Sequence, residues 1–275
     1  MTSGTARTAG RCPYCGKPFQ VRDISLPGHG PRLIALPCDC PQAKADIAAE
    51  RHADMENARR AEFRRVWARA GIPEEFMHVD ADYRYIDALN AHKAVYLSGK
   101  TGRGKTHLAC QLAKAYVISH IRTDIGSAWC DASLLFLGAD SIRSLLRSTW
   151  RTWGRSEEDL IGRWTGVSLL IFDDIGKGRQ DEDSVELAFR IIRERCENHR
   201  ETIFTSQYTT SALIERFSQA DKNTTDALKS RLRGWCVGEM LDGPDRRGLG
   251  QRHCQGVPAD GLEGPVHAPT LSLGI

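Results

Sequence analysis

The 275-residue sequence holds no apolar run approaching the roughly 18 residues needed to cross a bilayer, and so implies no membrane partner. Its opening, MTSGTARTAGRCPYCG, lacks the apolar stretch of a secretory signal, which makes the cytoplasm the expected location. An excess of one charge sign is also missing. The 38 Lys and Arg against 35 Asp and Glu leave only +3, so the local placement of arginines says more than the total. No internal repeat is visible. What remains, 41% hydrophobic and 27% charged residues, suits a globular protein able to bury a core.

Cysteine, by contrast, is plentiful. Of nine cysteines, four fall in the first 40 residues: Cys12, Cys15, Cys38 and Cys40. The other five are scattered singly and read as small apolar side chains. CPYCGKPF and LPCDCPQ give C-x-x-C, 22 intervening residues, then C-x-C. Thiolates from two short knuckles can surround zinc tetrahedrally, with His29 able to replace one of them. A segment this poor in apolar residues needs such a staple to fold. The competing reading is a redox or disulfide pair, which a reducing compartment disfavours.

Four zones follow along the chain: a zinc module over 1–41, a linker helix over 42–72, a nucleotide-binding core over 73–242 and a tail over 243–275. Residues 42–70 contain no Gly or Pro and are closed by Gly71 and Pro73, which predicts a helix roughly 40 Å long. The core alternates short apolar runs with helical stretches. AVYLSG (94–99), SLLFLG (133–138), SLLIFDD (168–174), TIFTS (202–206) and WCVGEML (235–241) predict an α/β fold with a parallel sheet of five strands flanked by helices. The glycine- and proline-rich tail is expected to be disordered.

GKTGRGKT matches the phosphate-loop pattern G-x-x-x-x-G-K-S/T through Gly99, Gly104, Lys105 and Thr106, with a strand before it and an amphipathic helix after. Such a loop lets backbone N–H groups turn toward phosphate oxygens at a helix N-terminus. Lys105 would reach the β- and γ-phosphates, and the Thr106 hydroxyl would ligate magnesium. Some seventy residues later, four apolar residues run into Asp173 and Asp174. An acid ending a buried strand downstream of a phosphate loop is the Walker B arrangement. Asp173 would hold Mg2+ through water, and Asp174 would polarise the water that attacks the γ-phosphate. TIFTSQY then offers Thr205, Ser206 and Gln207 to orient that water. LKSRLRGW offers Arg231 and Arg233, and GPDRRG offers Arg246 and Arg247, as transition-state clamps. Taken alone, these arginines read as surface charges.

The order of phosphate loop, IFDDIG, TIFTSQ, SRLRG and GPDRR, with the lead-in RAGIPEEF, resembles the AAA+ helicase-loader family. That family includes DnaC- and DnaI-type loaders, their phage relatives and the IstB transposition helpers. The resemblance covers residues 69–248. It implies a P-loop AAA+ ATPase in which Gly99, Thr101, Gly102, Arg103, Gly104, Lys105 and Thr106 bind ATP, with Mg2+ and hydrolysis at Asp173 and Asp174. Gln207 falls at sensor 1, Arg231 at an arginine finger completing a neighbouring subunit's site, and Arg247 at sensor 2. Asp174 stands where many AAA+ ATPases carry Glu, so slow basal turnover is expected. Ser206-Gln207 looks more like the transposition helpers. An N-terminal zinc module looks more like the DnaI type of loader, where that region engages a hexameric replicative helicase.

GADSIRSLLRSTWRTWGR spaces Arg143, Arg147, Arg151 and Arg155 four residues apart, a slanted basic stripe if helical. Ile142, Leu145, Leu146, Trp150 and Trp153 would then pack inward. By itself the stripe reads as a solvated helix face. The resemblance makes it a contact for single-stranded DNA, because the loaders use the helix after the second core strand. The expected function is an ATP-dependent helicase loader that forms a homo-oligomer with ATP. The alternatives are a transposition helper acting on duplex DNA, or a zinc-dependent adaptor that holds ATP as a structural ligand.

Overall fold

The computed structural model describes residues 10–24, 32–124, 127–142, 144–145, 156–178, 182–218 and 222–245. Contacts divide the chain into two units, one of residues 1–62 with 122–129, the other of 63–121 with 130–275. No helix among the described residues is long and apolar enough to cross a membrane.

In the first unit, the turn from Cys12 is closed by Gly16 N–H to Cys12 O at 2.9 Å and Cys12 N–H to Lys17 O at 2.8 Å. Strands β1 (Val21–Ile24) and β2 (Arg32–Ala35) pair antiparallel, Val21 opposite Ala35. Helix α1 (Pro41–Arg69) begins with proline at its first position, where the missing N–H costs nothing, and ends before Gly71. The uninterrupted run of helix formers is thus helical throughout, and its residues up to Glu62 belong to this unit.

The second unit is built on five parallel strands. They are β3 (Ala94–Ser98), β6 (Leu134–Gly138), β7 (Leu169–Asp173), β8 (Thr202–Ser206) and β9 (Cys236–Met240), in the spatial order β6-β7-β8-β3-β9. The apolar runs read from the sequence are these strands. Strands β4 (Ile121–Asp124) and β5 (Ser127–Cys130), whose residues 122–129 fall in the first unit, pair with each other. Helix α2 (Ile86–Asn90) precedes the sheet, and the crossovers include α3 (Lys105–Ser119), α4 (Glu157–Gly166), α5 (Glu182–Glu197), α6 (Thr210–Ser218) and α7 (Lys222–Trp235).

The central strands β3, β7 and β8 are buried along almost their whole length, as parallel strands covered on both faces must be. On one face Phe204 packs within 6.3 Å of the rings of Tyr96, Phe172 and Trp235. Apolar residues of α5, α6 and α7, including Ile191, Phe217 and Leu228, join the same cluster. Helix α3 lies against β7 and β8. Because β3 sits between β8 and β9, the loop after it opens beside the C-terminal ends of β7 and β8, the usual ligand edge of such sheets.

At the opposite ends of the strands lies a buried arginine that the sequence did not flag. Arg195 on α5 is fully inaccessible. It donates to Thr202 Oγ1 (2.8 Å) and to the carbonyl oxygens of Trp164 (3.0 Å), Thr165 (3.1 Å), Val167 (3.0 Å), Ser168 (3.1 Å) and Glu201 (2.5 Å). Burial pulls its pKa down, and these oxygens compensate a charge that water cannot reach. Arg195→Met should therefore cost more than about 3 kcal/mol in urea unfolding, since it strands several buried carbonyls at once. A loss below about 1 kcal/mol would show that they find other partners.

Candidate nucleotide site and cysteine cluster

Strand β3 delivers the chain into the loop 99–104, and α3 starts at Lys105. The first N–H groups of that helix have no partner within it and face the loop, a setting suited to anions. Lys105 is nearly buried, and its Nζ donates to Lys100 O at 3.1 Å, so its ammonium curls back over the loop. Side chains are excluded at two positions. A Cβ on Gly99 would lie 2.4 Å from Leu241 O, and one on Gly102, whose φ is +82°, would lie 2.1 Å from the Asp245 carboxylate.

Three elements meet at Asp173. Its Oδ1 accepts from Thr106 Oγ1 on α3 at 2.9 Å and from Thr205 Oγ1 on β8 at 2.7 Å. Thr205 Oγ1 in turn accepts the Asp174 N–H at 2.8 Å. Asp174 adopts φ +56°, which turns the chain sharply at the end of β7. Its Oδ2 receives Lys177 Nζ at 2.6 Å. Burial raises the Asp173 pKa, and the nearby Asp174 adds to this. The Thr205 and Thr106 hydroxyls, then Lys177, act the other way. The site thus concentrates negative charge where burial resists it, next to a threonine whose remaining lone pairs can ligate a cation. Thr106 and Asp173 suit Mg2+ by donor type, since both offer hard oxygens.

The residues expected to serve this site divide into three groups. Lys105, Thr106, Asp173 and Asp174 come together with the glycine loop that includes Thr101 and Arg103. Gln207 does not join them. It is exposed and donates to Tyr208 Oη at 3.1 Å. Thr205, two residues earlier, is the β8 residue that touches both aspartates. Arg231 lies on α7, donating to Glu197 at 2.9 Å and lying over the Phe189 ring at 5.5 Å. It also donates to Ala227 O on its own helix at 3.4 Å, so its partners lie on α5 and α7. Arg233 lines a cavity of about 300 Å³ with Tyr96, Ser98, Thr209 and Met240.

Arg143, Arg147, Arg151, Arg155, Arg246, Arg247 and His29 lie outside the described residues, as do Leu146, Trp150, Trp153 and the tail beyond residue 245. Of the apolar positions expected to face inward beside the arginine stripe, Ile142 is buried but Leu145 is exposed.

Two residues of the site escaped the sequence reading. Lys177 pins the Asp174 carboxylate. Arg216 on α6 donates to the carbonyl oxygens of Gly176 (2.9 Å) and Gly178 and lies over the Tyr208 ring, bracing the turn after Asp174. Neither belongs to a motif. Lys177 could have been suspected from its i+3 spacing to Asp174, whereas Arg216 carried no local signal.

In the first unit the Sγ atoms of Cys12, Cys15, Cys38 and Cys40 all lie within 4.8 Å of one another. Cys12 and Cys40 are 3.8 Å apart and Cys15 and Cys38 3.4 Å apart, so none of the four is disulfide-bonded. Four sulfurs each about 2.3 Å from a tetrahedral zinc would be spaced by roughly 3.8 Å. The donor set and its spacing fit that ion. The backbone N–H of Cys15 pulls the Cys12 thiol below its ordinary value, favouring the thiolate a metal requires. The Tyr14 hydroxyl bonds Asp46 and so ties the first knuckle to α1.

A parallel sheet carrying a glycine loop, a helix-borne Lys-Thr pair and an acid on the neighbouring buried strand defines a P-loop nucleotide-binding protein. More narrowly, the chain belongs to the IstB-like ATP binding protein family, which matches residues 75–237. It is similar to the replicative helicase loader DnaC of Escherichia coli (strain K12), with 27% identity over 155 residues, 56% of this chain and 58% of that protein. DnaC of Buchnera aphidicola subsp. Acyrthosiphon pisum (strain APS) is 27% identical over 156 residues, 50% of this chain and 59% of that one. The chain thus matches under two thirds of these relatives' length. Among solved structures, a crystal structure of DnaI is 20% identical with a TM-score of 0.47, covering 64% of this chain and 95% of that one. One of the DnaC helicase loader is 19% identical with a TM-score of 0.46, covering 62% and 100%.

The charge at Asp173 has a thermodynamic consequence. Asp173→Asn keeps an oxygen to accept from Thr106 and Thr205 but removes the buried charge and its repulsion with Asp174. Without nucleotide or Mg2+, it should raise the thermal midpoint at pH 7 by a few degrees. A lower midpoint would mean that the hydroxyls already compensate the charge.

Proposed function

We propose that this protein is an ATPase that loads a replicative DNA helicase, with the four-cysteine module binding zinc and engaging the helicase. The observation that carries this reading is the combination of a four-thiolate cluster in the first unit with an IstB-like ATP-binding second unit similar to DnaC. ATP and Mg2+ would be held by the 99–106 loop, Lys105, Thr106 and Asp173. Bound Mg2+ would neutralise charge developing on the phosphates. The residues of the chain then have separate roles. Lys105 takes up the β- and γ-phosphate oxygens, exchanging Lys100 O for them. Thr106 and Asp173 fix the cation position through the hydrogen bond they already share. Asp174, oriented by Thr205 and Lys177, accepts a hydrogen bond from the water aligned on the γ-phosphate and polarises it. Asp174 is one methylene shorter than Glu, which favours slow basal turnover.

Single-stranded DNA contact by Arg143, Arg147 and Arg151, an arginine finger at Arg231, a sensor role for Gln207 and a phosphate contact from Arg247 complete the reading. In it, the finger acts across a subunit boundary in an ATP-bound homo-oligomer. The similarity to the transposition helpers gives the second reading, in which the same ATPase grips duplex DNA. A preference for duplex over single-stranded DNA would decide for it.

Two measurements test the assignment. Asp174→Asn should retain ATP binding while hydrolysis drops by about 100-fold or more, and Lys105→Ala should lose binding itself. Normal hydrolysis by Asp174→Asn would remove Asp174 from the mechanism. In pull-downs of a hexameric replicative helicase with the full chain, Cys12→Ser/Cys40→Ser or zinc chelation should abolish capture and leave ATP binding intact. Failure of the zinc-loaded wild-type chain to retain the helicase would refute the loader reading.

A further inference from the structure

The segment Leu241–Asp245, which follows the last strand, stays on the nucleotide site. Leu241 N–H donates to Ser98 O at 2.7 Å, carrying the β3–β9 pairing one residue past the end of the sheet. This brings the Leu241 carbonyl onto Gly99, where a Cβ would meet it at 2.4 Å. Four residues on, the Asp245 carboxylate rests on Gly102. A Cβ built there would fall 2.1 Å from its Oδ1 and 2.5 Å from its Oδ2.

Gly102 lies within the loop whose backbone and lysine are arranged for phosphate. A carboxylate at that position is therefore an anion held where a second, more highly charged anion is expected. Like charges brought together at the loop repel, and the repulsion is reduced but not abolished by the openness of Asp245 to solvent. The absence of a side chain at Gly102 thus does two things. It lets phosphate approach the backbone, and it lets the segment after β9 close over the loop.

We propose that Asp245 is a further residue of the nucleotide site, whose carboxylate opposes phosphate at the loop. Nucleotide binding then moves the segment 241–245 off Gly102. Affinity is set by the difference between the loop's attraction for phosphate and the cost of displacing this carboxylate. The inference rests on the reading of residues 99–106 as a phosphate loop.

The test is titration of a fluorescent ADP analogue into the full chain and into Asp245→Asn, which keeps the shape and removes the charge. The variant should bind about 3- to 10-fold more tightly at about 50 mM KCl, and the gain should shrink at about 500 mM as salt screens the repulsion. Equal or weaker binding by Asp245→Asn overturns the proposal, as does a gain that salt leaves unchanged. Hydrogen exchange supplies a second readout. The amides of Leu241, Asp242, Gly243 and Asp245 in the wild-type chain, Leu241 above all because it is bonded to Ser98 O, should exchange faster when ADP is added, and unchanged exchange would mean that the segment is not displaced. A wild-type chain that binds no nucleotide would instead overturn the phosphate-loop reading itself, and this inference with it.

Discussion

The site turns on one carboxylate oxygen. Asp173 Oδ1 is held by a hydroxyl from the helix that follows the phosphate loop and by another from the adjacent strand. Through that atom, α3, β7 and β8 are locked into mutual register at their functional ends. The cost is a charge kept where burial disfavours it, and such costs cluster at sites that act on ligands. The neighbouring Asp174 is then positioned by its backbone, through the Thr205 hydroxyl, and by its carboxylate, through Lys177. The two adjacent acids still repel, and Lys177 on the second offsets part of that repulsion.

The architecture around this atom follows from the strand order. A phosphate loop needs a strand buried on both faces beneath it, and β3 is inserted between β8 and β9 to provide that. The acid must come from a strand that ends near the loop without pairing with β3. Here β7 is one strand removed, and β8 between them contributes the threonine. In this order Thr205 is in the right place to bridge, because it is the residue of β8 registered opposite Leu97 at the upper end of β3.

Much of this was legible in the sequence because the signals are local. The five apolar runs, the Gly-x-x-x-x-Gly-Lys-Thr loop and the helix closed by Gly71 all announce themselves within a dozen residues. The clustering of the four cysteines was also readable, since C-x-x-C and C-x-C each bring two thiols together locally. What was not legible depends on pairings between distant segments. Thr205, Ser206 and Gln207 read alike as polar residues ending a strand, yet only Thr205 bonds the aspartates, while Gln207, just past the end of β8, bonds Tyr208. Lys177 and Arg216 act through a turn whose shape no motif encodes. Arg195 belongs to no local pattern, and only the fold brings six oxygens onto it. Asp245 lay unremarked beside the arginines of GPDRR because nothing local says that this stretch returns to Gly102.

Arg195 also bears on how the sheet is held together. Its guanidinium joins the end of α4, the entries to β7 and β8, and its own helix α5 into one cross-linked base. The sheet is therefore cross-linked at both ends, by Arg195 at the base and by the two hydroxyls on Asp173 at the other. Five-residue strands separate the two clamps, and Lys105, Thr106, Asp173 and Asp174 all belong to the Asp173 end.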